Sequence, residues 1–345
     1  MSHPRYSVII PAYQAEATIG ACGRALSQQT VPRHEYEIIV VDDGSTDRTA
    51  DVARLAGADR VLTIPHGGPS VARNAGVEVA RGDILLFTDA DCEPFPEWIE
   101  RMTAPFADSQ VVGTKGVYRT RQRSLVARLV QLEYEYRYER MACLPTIDFI
   151  DTYAAAYRRD VFFRAGGFPT DVPVPSVEDI DLSFRLARAG YRLVFVPDAP
   201  VWHTHPSNLK SYLARKARYG FWRGLIYLHH PEKRKGDTHT DPVLKSQFVL
   251  LLLTLASIGG GIFWFPLRVV AGASLIAFLL TTFPFVRWAW PRDRRVALVW
   301  PGVTLLRGLV QGTGLAFGLF YHRWLRLTAR PSAWRAAKSR SDPKA

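Results

Sequence analysis

The chain has 345 residues, enough for about two domains at roughly 150 residues each, and 44 Lys and Arg against 32 Asp and Glu give a net charge of +12. Apolar residues make up 48% and charged residues 22%, which excludes a disordered chain, a collagen-like repeat and a coiled coil. Three scattered cysteines (Cys22, Cys92, Cys143) with no C-x-x-C pair argue against a disulfide framework or a zinc ribbon and point to a reducing compartment.

Up to about residue 120, short β-branched runs alternate with helical patterns. Strands are expected at residues 6–11 (YSVIIP), 36–42 (YEIIVVD), 60–64 (RVLTI) and 83–88 (DILLFT), and helices at 15–28, 46–55 and 69–80. Near-continuous apolar strands separated by helices predict an α/β domain, a mostly parallel sheet with helices on both faces. Ligands on such sheets bind beyond the carboxyl ends of the strands. Those ends carry Pro11-Ala12-Tyr13, then Asp42-Asp43-Gly44-Ser45-Thr46-Asp47, then His66-Gly67-Gly68 with Arg73 and Asn74 behind it, then Asp89-Ala90-Asp91. No G-x-G-x-x-G follows the first strand and no G-x-x-x-x-G-K-[ST] occurs, so a Rossmann dinucleotide site is disfavoured and a P-loop is excluded.

Residues 124–141 read as a helix rich in Tyr, Glu and Arg. Residues 177–189 read as an amphipathic helix with Glu178 and Asp179 at its start, where acids suit the helix dipole, and Gly190 ends it. Residues 191–196 read as a strand, followed by His203 and His205.

From 210 to 245 the chain turns basic, with aromatic residues interleaved, as expected of a helix in the headgroup layer of a membrane. Residues 246–286 hold one charged residue, Arg268. Spans are expected at 246–263 and 267–286, each close to the roughly 20 residues that cross the hydrocarbon. A basic loop at 287–295 then belongs on the cytoplasmic side. A third apolar stretch, 296–320, contains Pro301, Arg307 and Gln311, and seven Lys or Arg follow Tyr321. It either crosses against the positive-inside preference or is re-entrant or interfacial. The resulting division is a catalytic domain at 1–206, a basic interfacial region at 207–245, membrane helices at 246–321 and a basic tail at 322–345. The first residues, MSHPRYSVIIPAY, hold no apolar run suited to a signal peptide, so the leading domain is expected to face the cytoplasm.

Asp89 and Asp91 at a strand exit can present oxygens to a hard divalent cation, although an isolated D-x-D is equally often a solvated turn. The Asp42–Asp47 stretch lacks the spacing of a calcium loop. It reads as a turn in which one Asp also faces the ligand, where a carboxylate can take the imide N–H of uracil and Tyr13 can stack on the base. Asp179 can take a proton from an acceptor hydroxyl, or the Glu178-Asp179 pair can simply compensate the helix dipole.

Together these residues resemble the family 2 glycosyltransferases of GT-A fold, in a membrane-anchored exopolysaccharide or cell-envelope form. The matching stretches are SVIIPAYQAE, VVDDGSTD, ARNAG, LLFTDADCEP, AAAYRRDVFFRAGGF, VEDIDLSFRLARAGYRL and VWHTHP, in order across residues 6–205. The resemblance implies donor contacts at Pro11, Ala12, Tyr13, Asp42, Asp43, Arg73, Asn74 and Asp89. It also implies a Mg²⁺ or Mn²⁺ at Asp89, Asp91 and His203, and an E-D motif at Glu178 and Asp179 with Asp179 as general base. The implied reaction is an inverting transfer of one sugar from a nucleotide diphosphate sugar, commonly UDP-linked, to a lipid-linked or glycan acceptor at the cytoplasmic membrane. No nucleic acid partner is expected. RKARYGFW stands where processive synthases carry Q-x-x-R-W, which argues for single transfer. A polyprenyl-phosphate sugar transferase and a non-catalytic nucleotide-sugar-binding protein are the alternatives.

Overall fold

The computed structural model describes residues 3–170 and 177–328. In chain order the elements are β1 (Tyr6–Ala12), α1 (Ile19–Ser27), β2 (Tyr36–Asp42), α2 (Thr49–Leu55), β3 (Arg60–Thr63), α3 (Pro69–Val79), β4 (Ile84–Phe87), β5 (Glu93–Pro94), α4 (Trp98–Thr103), β6 (Val111–Arg119), α5 (Leu125–Ala142), β7 (Ala155–Arg158), α6 (Arg159–Arg164), α7 (Glu178–Arg188), β8 (Arg192–Trp202) and α8 (Leu209–His229). They are followed by α9 (Leu244–Gly260), α10 (Pro266–Leu280), α11 (Phe283–Ala289) and α12 (Arg294–Thr328).

The strands form one sheet in the order β3-β2-β1-β4-β7-β6-β8-β5. β1 to β4 pair in parallel, as their apolar runs predict. The sheet as a whole is mixed, because β7 runs antiparallel between β4 and β6 and β5 runs antiparallel to β8. Alternate side chains of a strand point to opposite faces. Val8, Ile10, Ile38, Val40 and Leu86 therefore pack under α1 and α4, against Leu26 and Trp98. Ile9, Ile39, Val41, Leu85 and Phe87 pack under α3, α6 and α7, against Val77, Phe162 and Leu182. Each such side chain contributes about 1.5–3 kcal/mol by leaving water.

β6 and β7 escape the apolar pattern. β6 reads VVGTKGVYR, with a lysine at its centre. Lys115 is nevertheless fully buried, because it pairs with Asp151 and donates to the Tyr153 hydroxyl at 3.2 Å.

The expected basic helix is α8, capped by the Asn208 side chain, which accepts from the Ser211 N–H at 2.9 Å. It lies against the sheet domain along its length. Tyr212 and Lys216 bond Glu133 of α5 at 3.1 and 2.6 Å. Ile226 packs on Phe149, Val177, Ile180 and Phe184, and His230, just beyond its end, bonds Asp181 at 2.8 Å.

α9 and α10 form an apolar hairpin whose tip is bare, with Phe263 90% exposed. The helical runs Pro266–Ala289 and Arg294–Leu325 are long and apolar enough to cross a membrane, while Leu244–Gly260 is shorter. The expected loop at 287–295 is reduced to 290–293, since α11 runs to Ala289. There Asp293 accepts from the Val296 N–H at 3.1 Å at the start of α12 and pairs with Arg128 of α5.

Candidate active site

The carboxyl ends of β1, β2 and β4 and the start of α7 converge, as the strand pattern anticipates. Past β1, Pro11 is half-buried and Ala12 buried, and Tyr13 is 50% exposed. The Tyr13 ring stacks on His66, with centroids 4.3 Å apart. His66 was not among the expected site residues. Its signal is its place in the glycine-rich turn after β3.

Asp42 and Asp43 are buried and serve the turns. Asp42 accepts the Ser45 N–H at 3.1 Å. The Asp43 carboxylate accepts the Gly67 and Gly68 N–H groups at 2.8 and 2.9 Å and lies 3.0 Å from His66 Nδ1. Both Asp43 oxygens thus hold the turn under the Tyr13–His66 pair, and each keeps a further lone pair for the expected contact with a nucleobase imide. Gly44 is required there, with φ at +75° and a Cβ that would meet the His66 amide at 2.9 Å. Asn74 also has a structural task. Its amide donates to the Phe168 carbonyl at 2.8 Å and accepts the Phe168 N–H at 3.1 Å, so it clamps α3 to the loop after α6.

Arg73 is the hub. Its buried guanidinium donates to Asp89 at 2.9 Å and to Glu178 at 2.8 Å, joining α3, the end of β4 and the start of α7. Burial works against this charge, but the two carboxylates more than restore it. Burial, with Asp91 adding to it, pushes the Asp89 carboxyl up against the pull of Arg73.

Asp91 is exposed and lies 3.5 Å from His203 Nδ1. Burial raises its carboxyl, but the contact with His203 outweighs this and holds it below its usual range. His203 is braced by Tyr118, with ring centroids 4.4 Å apart. Ligand atoms of Asp91, Cys92 and His203 lie within 4.8 Å of one another. The Cys92 thiol is buried and pushed well above its usual value by that burial and by Asp89 and Asp91, so it stays protonated. The carboxylate that remains suits a hard divalent cation such as Mg²⁺ or Mn²⁺, which keeps positions for a phosphate, and the imidazole beside it is a donor better suited to Mn²⁺ than to Mg²⁺. Asp89 faces Arg73 and stands behind this pair. His205 is turned inward, bonded to Gln131 at 2.9 Å, and burial lowers it to about 3.

Asp179 is half-buried. One carboxylate oxygen accepts the Ile180 N–H at 2.8 Å, and the other bonds none of the described residues. Burial, with Glu178 beside it, pushes the Asp179 carboxyl up to about 7, while Arg73 and Lys115 oppose the rise. A carboxylate tuned to that range can accept a proton near neutral pH. A cavity of about 640 Å³ lies at the opposite edge of the sheet, between Arg5, Tyr6, Asp83 and Arg158, and contains none of these groups.

The profile described as glycosyl transferase family 2 matches residues 7–164, and that described as glycosyl transferase family group 2 matches residues 97–306. The chain is 34% identical over 271 residues to a pre-mycofactocin glycosyltransferase of Mycobacterium tuberculosis, covering 76% of this chain and 54% of the relative. It is 32% identical over 230 residues to glycosyltransferase AglE of Haloferax volcanii, covering 62% of this chain and 70% of the relative. The chain thus spans about half the length of the mycobacterial relative. A mannosyltransferase of Pyrobaculum calidifontis, solved with GDP-mannose and Mn²⁺, is 21% identical and matches over 92% of this chain and 88% of its own, with a TM-score of 0.57. That likeness establishes the shared fold.

Proposed function

Because the chain belongs to glycosyltransferase family 2, we propose that it is an inverting enzyme that moves one sugar from a nucleotide diphosphate sugar to a hydroxyl of a lipid-linked or glycan acceptor, at the cytoplasmic face of a membrane. The observation that carries this reading is the Arg73 bridge. It ties Asp89 of the D-x-D motif to Glu178 of the E-D motif, so the leaving-group side and the acceptor side share one buried cation.

Tyr13 and His66 offer a stacking wall to the nucleobase, set by the Asp43 turn beneath them. Asp91 and His203, backed by Asp89, would hold a Mg²⁺ or Mn²⁺ ion, which when bound supplies Lewis-acid stabilisation of the departing diphosphate. The Pyrobaculum structure holds a nucleotide sugar and Mn²⁺, and this reading brings both to the present chain. Asp179 takes the acceptor's hydroxyl proton as the oxygen attacks the anomeric carbon in line. Burial, with Glu178 fixed on Arg73 beside it, keeps the Asp179 carboxyl high enough to accept that proton. A scaffold protein needs neither a tuned carboxylate nor the paired motifs.

The test is a panel of nucleotide sugars, with nucleoside diphosphate release followed with and without Mn²⁺. Release that depends on one donor, on an acceptor and on the cation is the expected result. Donor binding with no turnover for any acceptor, including lipid-linked ones, is the outcome of the non-catalytic alternative.

A further inference from the structure

α12 carries the composition of a span but not the surroundings of one. Its inward face is packed from Val296 to His322, a rise of about 39 Å at 1.5 Å per residue. That exceeds the roughly 30 Å of hydrocarbon in a bilayer. Val296, Ala297 and Trp300 pack on Leu129, Val130 and Leu132 of α5. Arg307 donates to Glu133 of α5 at 3.2 Å and to Gln247 at the root of α9 at 3.2 Å. Beyond it, α12 lies on α8. Gly314 sits against the Ala217 carbonyl, Gly318 against the Phe221 carbonyl, and Gly220 against the Gln311 carbonyl, with no room for a Cβ at any of the three. The pairs 217 with 314 and 221 with 318 show the two helices running in the same direction.

α5 and α8 belong to the sheet domain. α5 is tied to it by Arg119–Glu135 and by the Tyr138 hydroxyl, which accepts from the Tyr118 N–H. α8 is tied to it by Glu133 and by Ile226. Both carry many charges, among them Arg128, Glu133, Arg137 and Lys216, with Arg215 and Arg218 exposed on α8. A perpendicular α12 would carry these helices into the hydrocarbon, where ionised side chains are rarely found except lining an interior or a water-filled cavity. The outward face of α12 carries an apolar stripe at helical spacing, with Leu298, Leu306, Phe317, Phe320 and Trp324 exposed and Thr313 and Arg323 as the polar side chains exposed along it. It is continuous with the bare α9–α10 hairpin, whose Leu251 and Phe248 meet α12 at Gly308 and Gly312.

We infer that α12 lies in the membrane plane beside α8, its apolar stripe resting in the headgroup and upper acyl layer of a bilayer, and that only the α9–α10 hairpin penetrates. The arrangement rests on the membrane reading above and goes beyond it. It places residues after Thr328 on the same side as the sheet domain, where their basic composition agrees with the positive-inside preference. The side of the tail reports α12 alone, since a hairpin returns to its starting side whether or not it crosses fully.

The test uses the full chain in a bacterial host. Cys22 and Cys92 are buried, and exposed Cys143 is a native marker for the sheet domain. A second chain carries Cys143→Ser and Ser339→Cys, so that labelling reads the tail. With a membrane-impermeant maleimide, both chains are expected to be membrane-bound and labelled only after spheroplasts are lysed. A full-length chain fused at its carboxyl end to green fluorescent protein or to alkaline phosphatase gives an independent reading, with fluorescence and no phosphatase activity expected. Labelling of both chains in intact spheroplasts still supports the in-plane helix and overturns only the cytoplasmic placement. A protected Cys143 combined with a tail labelled in intact spheroplasts, or with an active phosphatase, overturns the in-plane helix while leaving the membrane reading intact. A chain that remains soluble overturns both.

Discussion

Two buried ionic networks, one at the sheet edge and one among the helices, use the same side-chain chemistry with opposite balance. At the sheet edge a cation is central: Arg73 is shared by Asp89 and Glu178, and Asp179 stands beside them with no cation paired to it among the described residues. Among the helices an anion is central: Glu133 is shared by Lys216 and Arg307, with Arg137 3.9 Å away. Burial would raise Glu133, but these cations hold its carboxyl down to about 2. The surplus acid leaves Asp179 titrating near neutrality, whereas the surplus of cations keeps Glu133 ionised until the pH falls toward about 2. A buried network with excess acid can exchange a proton, and one with excess base is a clamp.

The largest effects are expected at the sheet edge. Asp91→Ala removes the exposed carboxylate facing His203 and is expected to abolish transfer and cation-dependent donor binding, with the thermal unfolding profile unchanged. Full activity in that variant or in EDTA refutes the cation site. Asp179→Asn is expected to keep donor affinity, measured by calorimetry, and to lose roughly 10²–10⁴-fold in rate, the usual scale of general-base catalysis. Collapse of donor binding instead makes Asp179 a donor-binding or structural residue.

The helix network should respond in stability and not in chemistry. Glu133→Ala leaves Lys216 and Arg307 buried without their shared anion, and breaking such a pair costs about 3–5 kcal/mol. Thermal melts in detergent are expected to show the loss, with kcat near the wild-type value at temperatures where the variant is folded. The sign of the pH dependence follows from the depressed carboxyl. Its stabilisation is complete above the ordinary value of 4.5 and fades as pH falls toward about 2. The gap between wild type and variant should therefore be wider at pH 7 than at pH 3.5. An equal gap at both assigns the loss to packing alone.

How far the sequence reaches differs between these regions for physical reasons. β1, β2 and β4 are legible because strands buried on both faces must be apolar throughout, β3 at the sheet edge by its short β-branched run, and the acidic pairs because they stand at strand and helix ends. The Arg73–Glu178 bridge spans 105 positions, and no local pattern encodes it. Lys115 hid β6, since a lysine in an apolar strand reads as a break until Asp151 is seen to neutralise it. Asp43 and Asn74 have the residue types of ligand contacts, and only geometry shows that they also bond neighbouring backbone. Hydropathy likewise measures the side chains of α12, not the charged helices on which they pack.

The smallest expected effect concerns the coupling inside the sheet-edge network. Asp179 acts as a base only when ionised, and with its carboxyl pushed up to about 7 the rate should rise with pH through that region. After burial, the raising influence is the neighbouring charge of Glu178, and Arg73 opposes it. Glu178→Gln removes the repulsion and frees Arg73 from one of its two anions, so both changes favour the ionised form of Asp179. The acidic limb of the kcat profile is expected to move to lower pH. The variant then retains a larger share of its maximal rate at pH 6 than the wild type does, even if that maximum is reduced. Asp179→Glu should keep a limb, while Asp179→Asn removes it. A limb that stays in place in Glu178→Gln assigns the titration to another group, and a limb that moves upward contradicts the like-charge account of the E-D pair.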